Sequence, residues 1–431
     1  MKITLMKKIY LLAFTGLFTS FSYGQCNGGR YAFDVFTSVD ITSDIVFGAN
    51  ISNGGATTIL DMDIYEPNGD TETARPLIIW AHGGSFIGGS KTDGDVVILA
   101  DRFVKKGYVF ASINYRLGID FPFSQNDATK AVVRAVQDMK ASIRFFYEDR
   151  ATTDTYKIDT TKIYIGGTSA GAITALHLAY LDQECEILEF MSTSELNTLG
   201  GIEGTSGNPG YSTDIQGVIS LAGALASYGW MEAGDVPLCS THGTNDGIVK
   251  YNRGFVTVPV FGIEIMELDG SRVIKEHADA IGVQNNLYSH YGADHVPHSS
   301  SAAYMDTTVN FIRDFLIDQM GCTDLALQAP NTPFGTADLY PLTYCNTSIA
   351  ENNEELINSI YPNPSSDNMT IPFNEMGEKE IIVMDISGRV IRNENTSDAS
   401  FLIERNGLKA GTYIVQVNIN GTHSTSKVVF E

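Results

Sequence analysis

The sequence KIYIGGTSAGAITALHLAYL, residues 162–181, runs from a short apolar, β-rich segment through a glycine-flanked serine into a segment rich in alanine and leucine. The first part is typical of a buried strand and the last part of a buried helix. The join has the spacing G-x-S-x-G, which predicts a sharp strand-to-helix turn, because the glycines Gly167 and Gly171 let the chain turn tightly around Ser169. The N-terminus of the following helix would also favour negative charge beside the serine. We therefore predict that Ser169 is a nucleophile.

Short β-rich runs and longer helical segments alternate on both sides of this stretch. The run 127–148, for example, places its apolar residues at helical spacing. Strands that alternate with helices build a parallel sheet with helices on both faces. The sequence therefore predicts an α/β fold. The predicted strands of this sheet are residues 76–84, 108–115, 162–167, 217–224 and 236–243.

A serine hydroxyl is a poor nucleophile at neutral pH, so it requires a base, an acid that orients the base, and a cradle for the oxyanion. The run HGGSFIGG, residues 82–89, follows a predicted strand. Because it contains few bulky side chains, a substrate can approach its backbone amides closely. We expect the amides of Gly84 and Ser85, together with the amide of Ala170, to form the oxyanion hole. His82 is expected to position this loop rather than to act as a base.

Candidates for the acid and the base come later in the chain. The run THGTNDG, residues 241–247, places Asp246 just past a predicted strand, where its carboxylate can hold an imidazole. The run GADHVPH then supplies two imidazoles, His295 and His298. We predict His295 as the base and keep His298 as the alternative base. Their neighbour Asp294 is expected to be a solvated loop residue.

The order of these motifs, HGGSF, then Ser169, Asp246 and His295, resembles the order in the α/β-hydrolase superfamily. Residues 75–318 are similar to its carboxylesterase and hormone-sensitive-lipase-like branch. The strings NYRL, residues 114–117, and QD, residues 137–138, support the likeness. The resemblance implies an α/β-hydrolase fold, a mostly parallel sheet with helices on both faces. It also implies a serine esterase that works through an acyl-enzyme and needs neither a cofactor nor a metal.

Two departures from the family pattern concern the substrate. Ser85 stands where the family has the third glycine of HGGG, and no long lid is evident before His295. Phe86, Tyr115 and Trp230 are candidate aromatic residues of the substrate pocket, and packing in the core is the alternative role of each. The acyl pocket of this chain is therefore expected to have its own shape.

These observations predict a secreted serine carboxylic-ester hydrolase. The alternatives are a carbohydrate esterase that releases acetyl or feruloyl groups, a polyester esterase, a peptidase of the same fold, and a non-catalytic binding protein. No metal site is expected, since Asp93 and Asp95 have no companion ligands at metal-binding spacing and are assigned to a surface turn.

The N-terminus has the pattern of a signal peptide. Lysines precede an apolar run of about ten residues. Ser22 and Gly24 then supply the small residues that a signal peptidase requires at positions −3 and −1 before a cleavage site at Gln25. The run is too short to span a bilayer. We predict that residues 1–24 are removed on export and that residues 25–322 form the catalytic domain.

The pattern changes after residue 322. Residues 323–358 are polar and proline-containing, which predicts a linker. Residues 359–431 consist of short alternating runs with glycine-containing turns, which predicts a small antiparallel β-sandwich. Its strings YPNP, DISGRVI and LKAGTYIVQV resemble the C-terminal sorting domain of the type IX secretion system of Bacteroidetes. The resemblance implies passage across the outer membrane by that machinery and removal of the domain, and an ordinary accessory sandwich is the alternative.

Composition and cysteine usage exclude some classes of partner. The 431 residues include 51 acidic and 28 basic side chains, a formal charge of −23. This balance argues against nucleic acid and anionic membranes, which need a basic face. The 5 cysteines are too few and too scattered for a disulfide framework. A bridge between Cys322 and Cys345 is one possibility, and Cys239 is expected to be a buried free thiol.

Overall fold

The computed structural model describes residues 29–258, 262–322, 327–342, 360–373, 377–385, 389–419 and 422–431. The chain divides into two compact units, Met1–Thr343 and Tyr344–Glu431. The predicted signal peptide, residues 1–24, lies outside the described residues, and the predicted domain limits stay predictions.

Strands and helices alternate through most of the first unit. Its strands are β1 (Val39–Ile51), β2 (Thr57–Pro67), β3 (Arg75–Ala81), β4 (Val109–Ile113), β5 (Ile158–Thr168), β6 (Gly217–Leu221), β7 (Ala224–Leu225), β8 (Leu238–Gly243), β9 (Arg253–Val258), β10 (Ile263–Gly270) and β11 (Asn285–His290). Its helices are α1 (Gly94–Val104), α2 (Gln125–Ala151), α3 (Ala170–Tyr180), α4 (Glu184–Ile187), α5 (Thr193–Leu199), α6 (Ser271–Ile281), α7 (Pro297–Ser300) and α8 (Ala302–Gln319).

Eight of these strands form one sheet in the order β1-β2-β4-β3-β5-β6-β8-β11. The strands from β4 to β11 in this order run parallel to one another. Strand β2 is antiparallel to both of its neighbours, β1 and β4. The predicted α/β-hydrolase fold is confirmed, and the five predicted strands correspond to β3, β4, β5, β6 and β8.

Successive residues of the central strands face opposite sides of this sheet. In β3, Leu77 and Ile79 belong to one apolar core, whereas Ile78 and Trp80 belong to the other. The first core includes residues of α2 and α3, and the second includes residues of α1 and α8. Because both faces of the sheet are covered, its strands read as continuous apolar runs in the sequence.

Strands β9 and β10 pair as an antiparallel hairpin, which the sequence pattern did not reveal. Together with β7 they form a separate three-stranded sheet. Five of the six residues of β9 are partly buried or exposed, so the strand lacks the continuous apolar run of the central strands. This hairpin, residues 253–270, connects β8 to α6, and its described residues exclude 259–261.

The second unit contains only strands among its described residues. They are β12 (Asn368–Pro372), β13 (Lys379–Asp385), β14 (Val390–Thr396), β15 (Ser400–Glu404), β16 (Gly411–Ile419) and β17 (Thr422–Phe430). They form a two-stranded sheet, β12-β15, and a four-stranded sheet, β14-β13-β16-β17, and all pairs are antiparallel. Their inward side chains make one apolar core, so the predicted antiparallel β-domain is confirmed.

The cysteines of the first unit differ in their state. Cys239 is free and fully buried, as expected from its place in β8. Cys185 and Cys322 are disulfide-bonded. The possible bridge from Cys322 to Cys345 involves a residue outside the described ranges.

A buried ion pair joins the sheet to the long helix α2. Arg116, which follows β4, is 2% exposed, and Asp138 of α2 is fully buried. The guanidinium Nε of Arg116 donates to the Asp138 carboxylate at 2.9 Å, and the Arg116 backbone amide donates to it at 2.8 Å. Ser206 Oγ donates to the same carboxylate at 2.6 Å. The buried charges are thus paired and hydrogen-bonded, as burial of an ion pair requires.

Replacing Arg116 with methionine would leave the buried carboxylate of Asp138 without its counter-charge. We expect the free energy of unfolding to fall by about 3–5 kcal/mol. Urea unfolding followed by tryptophan fluorescence measures this unit, because both tryptophans, Trp80 and Trp230, lie in it. The double variant Arg116→Met with Asp138→Leu should recover most of the loss. Equal losses in the single and double variants would contradict this account.

Candidate active site

Ser169 lies in a sharp turn between β5 and α3. Its backbone has φ 55° and ψ −114°, a conformation that L-residues rarely adopt and that strains the chain. The turn is tight because α3 approaches the sheet closely: a Cβ on Gly171 would lie 2.0 Å from the carbonyl oxygen of Ala81, at the end of β3. Only glycine fits there, which explains the last position of G-x-S-x-G. The predicted strand-to-helix turn is therefore present.

The imidazole of His295 contacts the Ser169 hydroxyl. His295 follows β11, and its Nε2 lies 2.8 Å from Ser169 Oγ. Its Nδ1 lies 2.6 Å from Asp246 Oδ2, and Asp246 follows β8. Both loops leave the carboxyl ends of adjacent parallel strands, which is why residues far apart in sequence meet here. The structure thus brings the three predicted residues into one hydrogen-bonded row.

The carboxylate of Asp246 is fully buried but well hydrogen-bonded. Its Oδ1 accepts from the backbone amides of Ile248 at 2.8 Å and Val249 at 2.9 Å. Burial alone would raise the pKa of this carboxyl, but hydrogen bonds from His242 and His295 outweigh burial and hold its pKa well below its ordinary value. Asp246 is therefore ionised at neutral pH and can stabilise a positive imidazole.

His242 is a second imidazole on the same carboxylate, and sequence reasoning missed it. Its Nε2 lies 3.2 Å from Asp246 Oδ2 and 2.9 Å from the Val249 carbonyl oxygen. Its Nδ1 lies 2.8 Å from Ser271 Oγ, at the start of α6. The ring is fully buried, so it fixes the loop that carries Asp246 rather than reaching solvent. The sequence signal that could have identified this contact is the position of His242 only four residues before Asp246.

Asp294 is exposed, in agreement with its prediction as a loop residue, yet it links the two loops. Its Oδ1 accepts from the backbone amide of Gly247 at 3.0 Å and from the backbone amide of His295 at 2.8 Å. Gly247 is next to Asp246. The carboxylate of Asp294 therefore holds the loop that carries Asp246 against the loop that carries His295.

The loop predicted to form the oxyanion hole has an unusual backbone. Gly84, Ser85 and Phe86 have φ values of 112°, 54° and 59° in succession. A Cβ on Gly84 would lie 2.1 Å from the carbonyl oxygen of Gly88, so this position requires glycine. Ser85 and Ala170 line the same cavity as Ser169. The loop and the first turn of α3 therefore border the nucleophile from two sides.

His82 lies beneath this loop. Its ring stacks on Tyr115 at 4.4 Å between ring centres, and its Nδ1 lies 2.6 Å from the Gly83 carbonyl oxygen. Burial lowers the pKa of His82, which keeps the ring neutral. Tyr115, a predicted pocket residue, donates from its hydroxyl to the His82 carbonyl oxygen at 2.9 Å and so supports the loop from behind.

His298, the alternative base, lies elsewhere. It is 2% exposed, and its Nε2 lies 3.3 Å from Asp95 Oδ2 and 3.5 Å from Thr168 Oγ1. Asp95, which the sequence assigned to a surface turn, is in the first turn of α1 and also accepts from Thr168 Oγ1 at 3.0 Å. These contacts connect α1 and the end of β5 behind Ser169. No hydrogen bond among the described residues joins His298 to Ser169.

A narrow apolar cavity of about 50 Å³ opens at Ser169. Phe86, one of the candidate pocket residues, lines it. The hairpin β9–β10 supplies much of its remaining wall, so the segment after β8 covers the site although the sequence showed no long lid. The hairpin residues that line the cavity are Val256, Thr257, Val258, Ile265, Met266 and Leu268.

A smaller cavity of about 20 Å³ lies next to the first. The two share four lining residues, Val132, Ile173, Met266 and Leu268, which therefore separate them. His177 of α3 also lines the smaller cavity, and its Nδ1 lies 2.8 Å from the Ile173 carbonyl oxygen. Trp230, a predicted pocket residue, packs edge-on against His177 at 5.5 Å between ring centres. Trp230 thus lies behind the cavities.

Two properties of the described part of the chain concern metals and membranes. None of its helices combines the length and apolar character that crossing a bilayer demands. No group of three or more histidine, cysteine, aspartate or glutamate side chains in this part is arranged to hold a metal ion.

Two families match this chain. Residues 62–224 match the family BD-FAE, and residues 359–431 match the secretion system C-terminal sorting domain. The first match includes Ser169 and the loop at Gly84 but ends before Asp246 and His295. The second match shows that the chain carries an export domain, which directs it to the cell surface or the outside.

The chain is also similar to curated proteins over a limited segment. It is 28% identical to gut esterase 1 of Caenorhabditis briggsae over 139 residues, which is 32% of this chain and 24% of that protein. It is 32% identical to carboxylesterase 3B of Mus musculus over 115 residues, 26% of this chain and 19% of that protein. The chain therefore spans about a quarter or less of the length of these relatives.

Among solved structures, esterase 2 of Thermogutta terrifontis phosphoramylated by tabun is 17% identical, with a TM-score of 0.46 over 65% of this chain and 94% of that chain. A truncated carbohydrate esterase from gut microbiota is 17% identical, with a TM-score of 0.44 over 67% of this chain and 98% of that chain.

The buried imidazole of His177 predicts a loss of stability in acid. Burial lowers its pKa to about 4 from an ordinary 6.5, so the unfolded chain binds a proton between these values and the folded chain does not. Stability therefore falls as pH decreases from 6.5 towards 4. His177→Asn should remove about 2 kcal/mol of the decrease in unfolding free energy between pH 7 and pH 5. Urea unfolding of both proteins at the two pH values measures this, and an unchanged decrease would show that His177 does not cause it.

Proposed function

We propose that this chain, an α/β-hydrolase joined to a type IX sorting domain, is an exported serine esterase that hydrolyses carboxylic esters through an acyl-enzyme. The observation that supports it most directly is the row of contacts at the strained serine. His295 Nε2 lies 2.8 Å from Ser169 Oγ and His295 Nδ1 lies 2.6 Å from Asp246 Oδ2. The type IX secretion machinery is its proposed partner during export.

Acylation begins with His295 carrying its proton on Nδ1, where it donates to Asp246. Nε2 is then free to accept the proton of Ser169 as Oγ attacks the ester carbonyl. The carboxylate of Asp246 stabilises the imidazolium that forms. His295 returns the proton to the leaving alcohol oxygen as the carbon–oxygen bond breaks, and the acyl group stays on Ser169.

Deacylation repeats these steps with water. His295 takes a proton from the water molecule, whose oxygen attacks the acyl carbonyl, and then returns the proton to Ser169 Oγ as the carboxylic acid leaves. The reaction consumes one ester and one water, and it requires no cofactor.

The amides of Gly84, Ser85 and Ala170 are the proposed donors to the oxyanion. Ser85 and Ala170 border the cavity at Ser169, and α3 begins at Ala170, so its positive end faces the developing charge. Donors held by a strained loop need little rearrangement when the charge forms. Each such donor contributes about 10²- to 10³-fold to the rate.

The acyl part of the substrate is proposed to be short and uncharged. The cavity of about 50 Å³ is bounded mostly by apolar side chains. About 10–15 Å³ of such space holds one water molecule, so the cavity has room for a few heavy atoms and suits a short acyl chain. The alcohol part can be small or carried on a carbohydrate or polyester, because the proposed acyl pocket does not have to hold it.

Replacing Ser169 with alanine removes the nucleophile and should lower kcat by about 10³-fold or more. The assay uses residues 25–431 with p-nitrophenyl acetate. His295→Gln should have a similar effect, because no other imidazole contacts Ser169 Oγ among the described residues. His298→Gln should keep most of the activity, since its contacts are with Asp95 and Thr168.

The same variants test the alternatives. Equal ester hydrolysis by the unchanged protein and Ser169→Ala would refute the esterase proposal. Faster cleavage of an aminoacyl anilide than of the ester would indicate a peptidase. Loss of activity in His298→Gln with activity kept in His295→Gln would overturn the assignment of the base.

Met266 separates the two cavities, so its truncation should lengthen the acyl pocket. In Met266→Ala, we expect kcat/KM for p-nitrophenyl hexanoate relative to acetate to rise about tenfold, because the space freed would bury about two more methylene groups and each contributes about 0.8 kcal/mol. Met305→Ala is a matched control, since Met305 is a buried methionine in the core on the other face of the sheet. An unchanged ratio, or the same change in the control, would show that Met266 does not limit the pocket.

A further inference from the structure

Residues 327–342 lie in the predicted linker, yet they are held on the hydrolase unit by specific hydrogen bonds. They form neither helix nor strand, and we call them the strap. Asn331 pairs with the backbone of Ser289 in β11, where its Oδ1 accepts at 2.7 Å and its Nδ2 donates at 2.8 Å. The Phe334 amide donates to Tyr251 Oη at 3.0 Å. The strap therefore belongs structurally to the first unit.

The next part of the strap is held at the start of the hairpin β9–β10. Asn252 precedes β9, and its Nδ2 donates to the Thr336 carbonyl oxygen at 2.8 Å. Its Oδ1 accepts from the Asp338 amide at 3.0 Å. The Arg272 guanidinium, just after β10, donates to the Gly335 carbonyl oxygen at 3.1 Å. Both ends of the hairpin are thus bound to one short segment.

Tyr340 makes the most buried of these contacts. Its hydroxyl donates to Asp269 Oδ2 at 2.8 Å, and the Asp269 side chain is fully buried. The guanidinium of Arg253 lies 3.8 Å from the centre of the Tyr340 ring and 3.2 Å from the Asp269 carboxylate. The rings of Tyr340 and Tyr228 pack edge-on at 4.8 Å, and Tyr228 Oη also donates to the Tyr340 carbonyl oxygen.

These partners join the two strands of the hairpin at its base. Arg253 is the first residue of β9 and Asp269 is near the end of β10, and the two residues are register partners. Further along the same strands, Val256 and Met266 line the cavity at Ser169. A buried carboxylate that loses a hydrogen bond is destabilised, so the contact with Tyr340 stabilises the hairpin in the arrangement that lines the cavity.

We propose that Tyr340 is a positioning residue for the acyl pocket: through Asp269 and Arg253 it holds the hairpin β9–β10 over Ser169, so the segment before the sorting domain shapes the specificity of the enzyme. The catalytic part of this inference rests on the proposed esterase function. Tyr340 acts through the hairpin and does not line the cavity at Ser169.

The test compares Tyr340→Phe with Tyr147→Phe in residues 25–431. Tyr147 is a matched control, because its hydroxyl is also a hydrogen-bond donor, here to the backbone carbonyl oxygens of Thr160 and Asp214, and it lies on α2 away from the strap. Thermal unfolding followed by tryptophan fluorescence establishes that both variants are folded. Hydrogen exchange of the amides in residues 253–270 and steady-state kinetics with acetyl and butyryl esters are then measured.

In Tyr340→Phe, we expect faster exchange in the hairpin and a fall of about fivefold in kcat/KM for the butyryl ester, mainly through KM, because one hydrogen bond to a buried charge is lost. The acetyl ester, which has two fewer methylene groups to contact the hairpin wall, should change by less than about twofold. Tyr147→Phe should behave as the unchanged protein. Arg253→Gln, which removes the ion pair to Asp269 but keeps the Tyr340 hydroxyl, should change both measurements in the same direction as Tyr340→Phe.

Two outcomes would overturn this inference. One is unchanged exchange of residues 253–270 in Tyr340→Phe. The other is an equal fall for the acetyl and butyryl esters. If the unchanged protein hydrolyses neither ester, the esterase proposal fails, and the exchange measurement alone still decides whether Tyr340 holds the hairpin.

Discussion

The close approach of α3 to the end of β3 is the constraint on which the rest of the site depends. With no room for a Cβ at Gly171, the helix begins directly against the sheet, and the chain must turn at Ser169 through a strained backbone. The strain is offset by hydrogen bonds on both sides, from the Ser169 amide to the Leu221 carbonyl oxygen at 2.8 Å and from the Ile173 amide to the Ser169 carbonyl oxygen at 2.9 Å. The hydroxyl is thereby held at the edge of the sheet where the other loops end.

The second requirement of the site is that the buried carboxylate of Asp246 stays ionised. The Asp246 side chain has no exposed surface, and two backbone amides and two imidazoles replace the water that it loses. A carboxylate solvated by fixed groups can stabilise an imidazolium without rearrangement, which is the electrostatic requirement of acyl transfer. His242 and Asp294 contribute by holding the loop of Asp246 rather than by reaching Ser169.

The hairpin β9–β10 and the strap determine the shape of the proposed substrate pocket. The hairpin lines the cavity at Ser169, which is the proposed acyl pocket, and the strap binds the base of the hairpin through Tyr340 and its partners. A segment that follows the last helix of the hydrolase unit in sequence therefore supports the wall of the proposed pocket without lining it. A cut that separates the two units and preserves the strap has to fall after Leu342.

The sequence by itself determined the fold class, the export domain and the types of residue at the site, because these depend on local patterns: alternating strands and helices, the glycines around Ser169, and polar residues just after strand ends. It left two candidate bases, since His295 and His298 lie three residues apart in the chain and only their three-dimensional partners distinguish them. Tertiary structure alone decided the second imidazole on Asp246, the positions of Tyr115 and Trp230 behind the pocket, and the role of the strap. Each of these depends on contacts between segments distant in the chain, which leave no periodicity and no local motif to read.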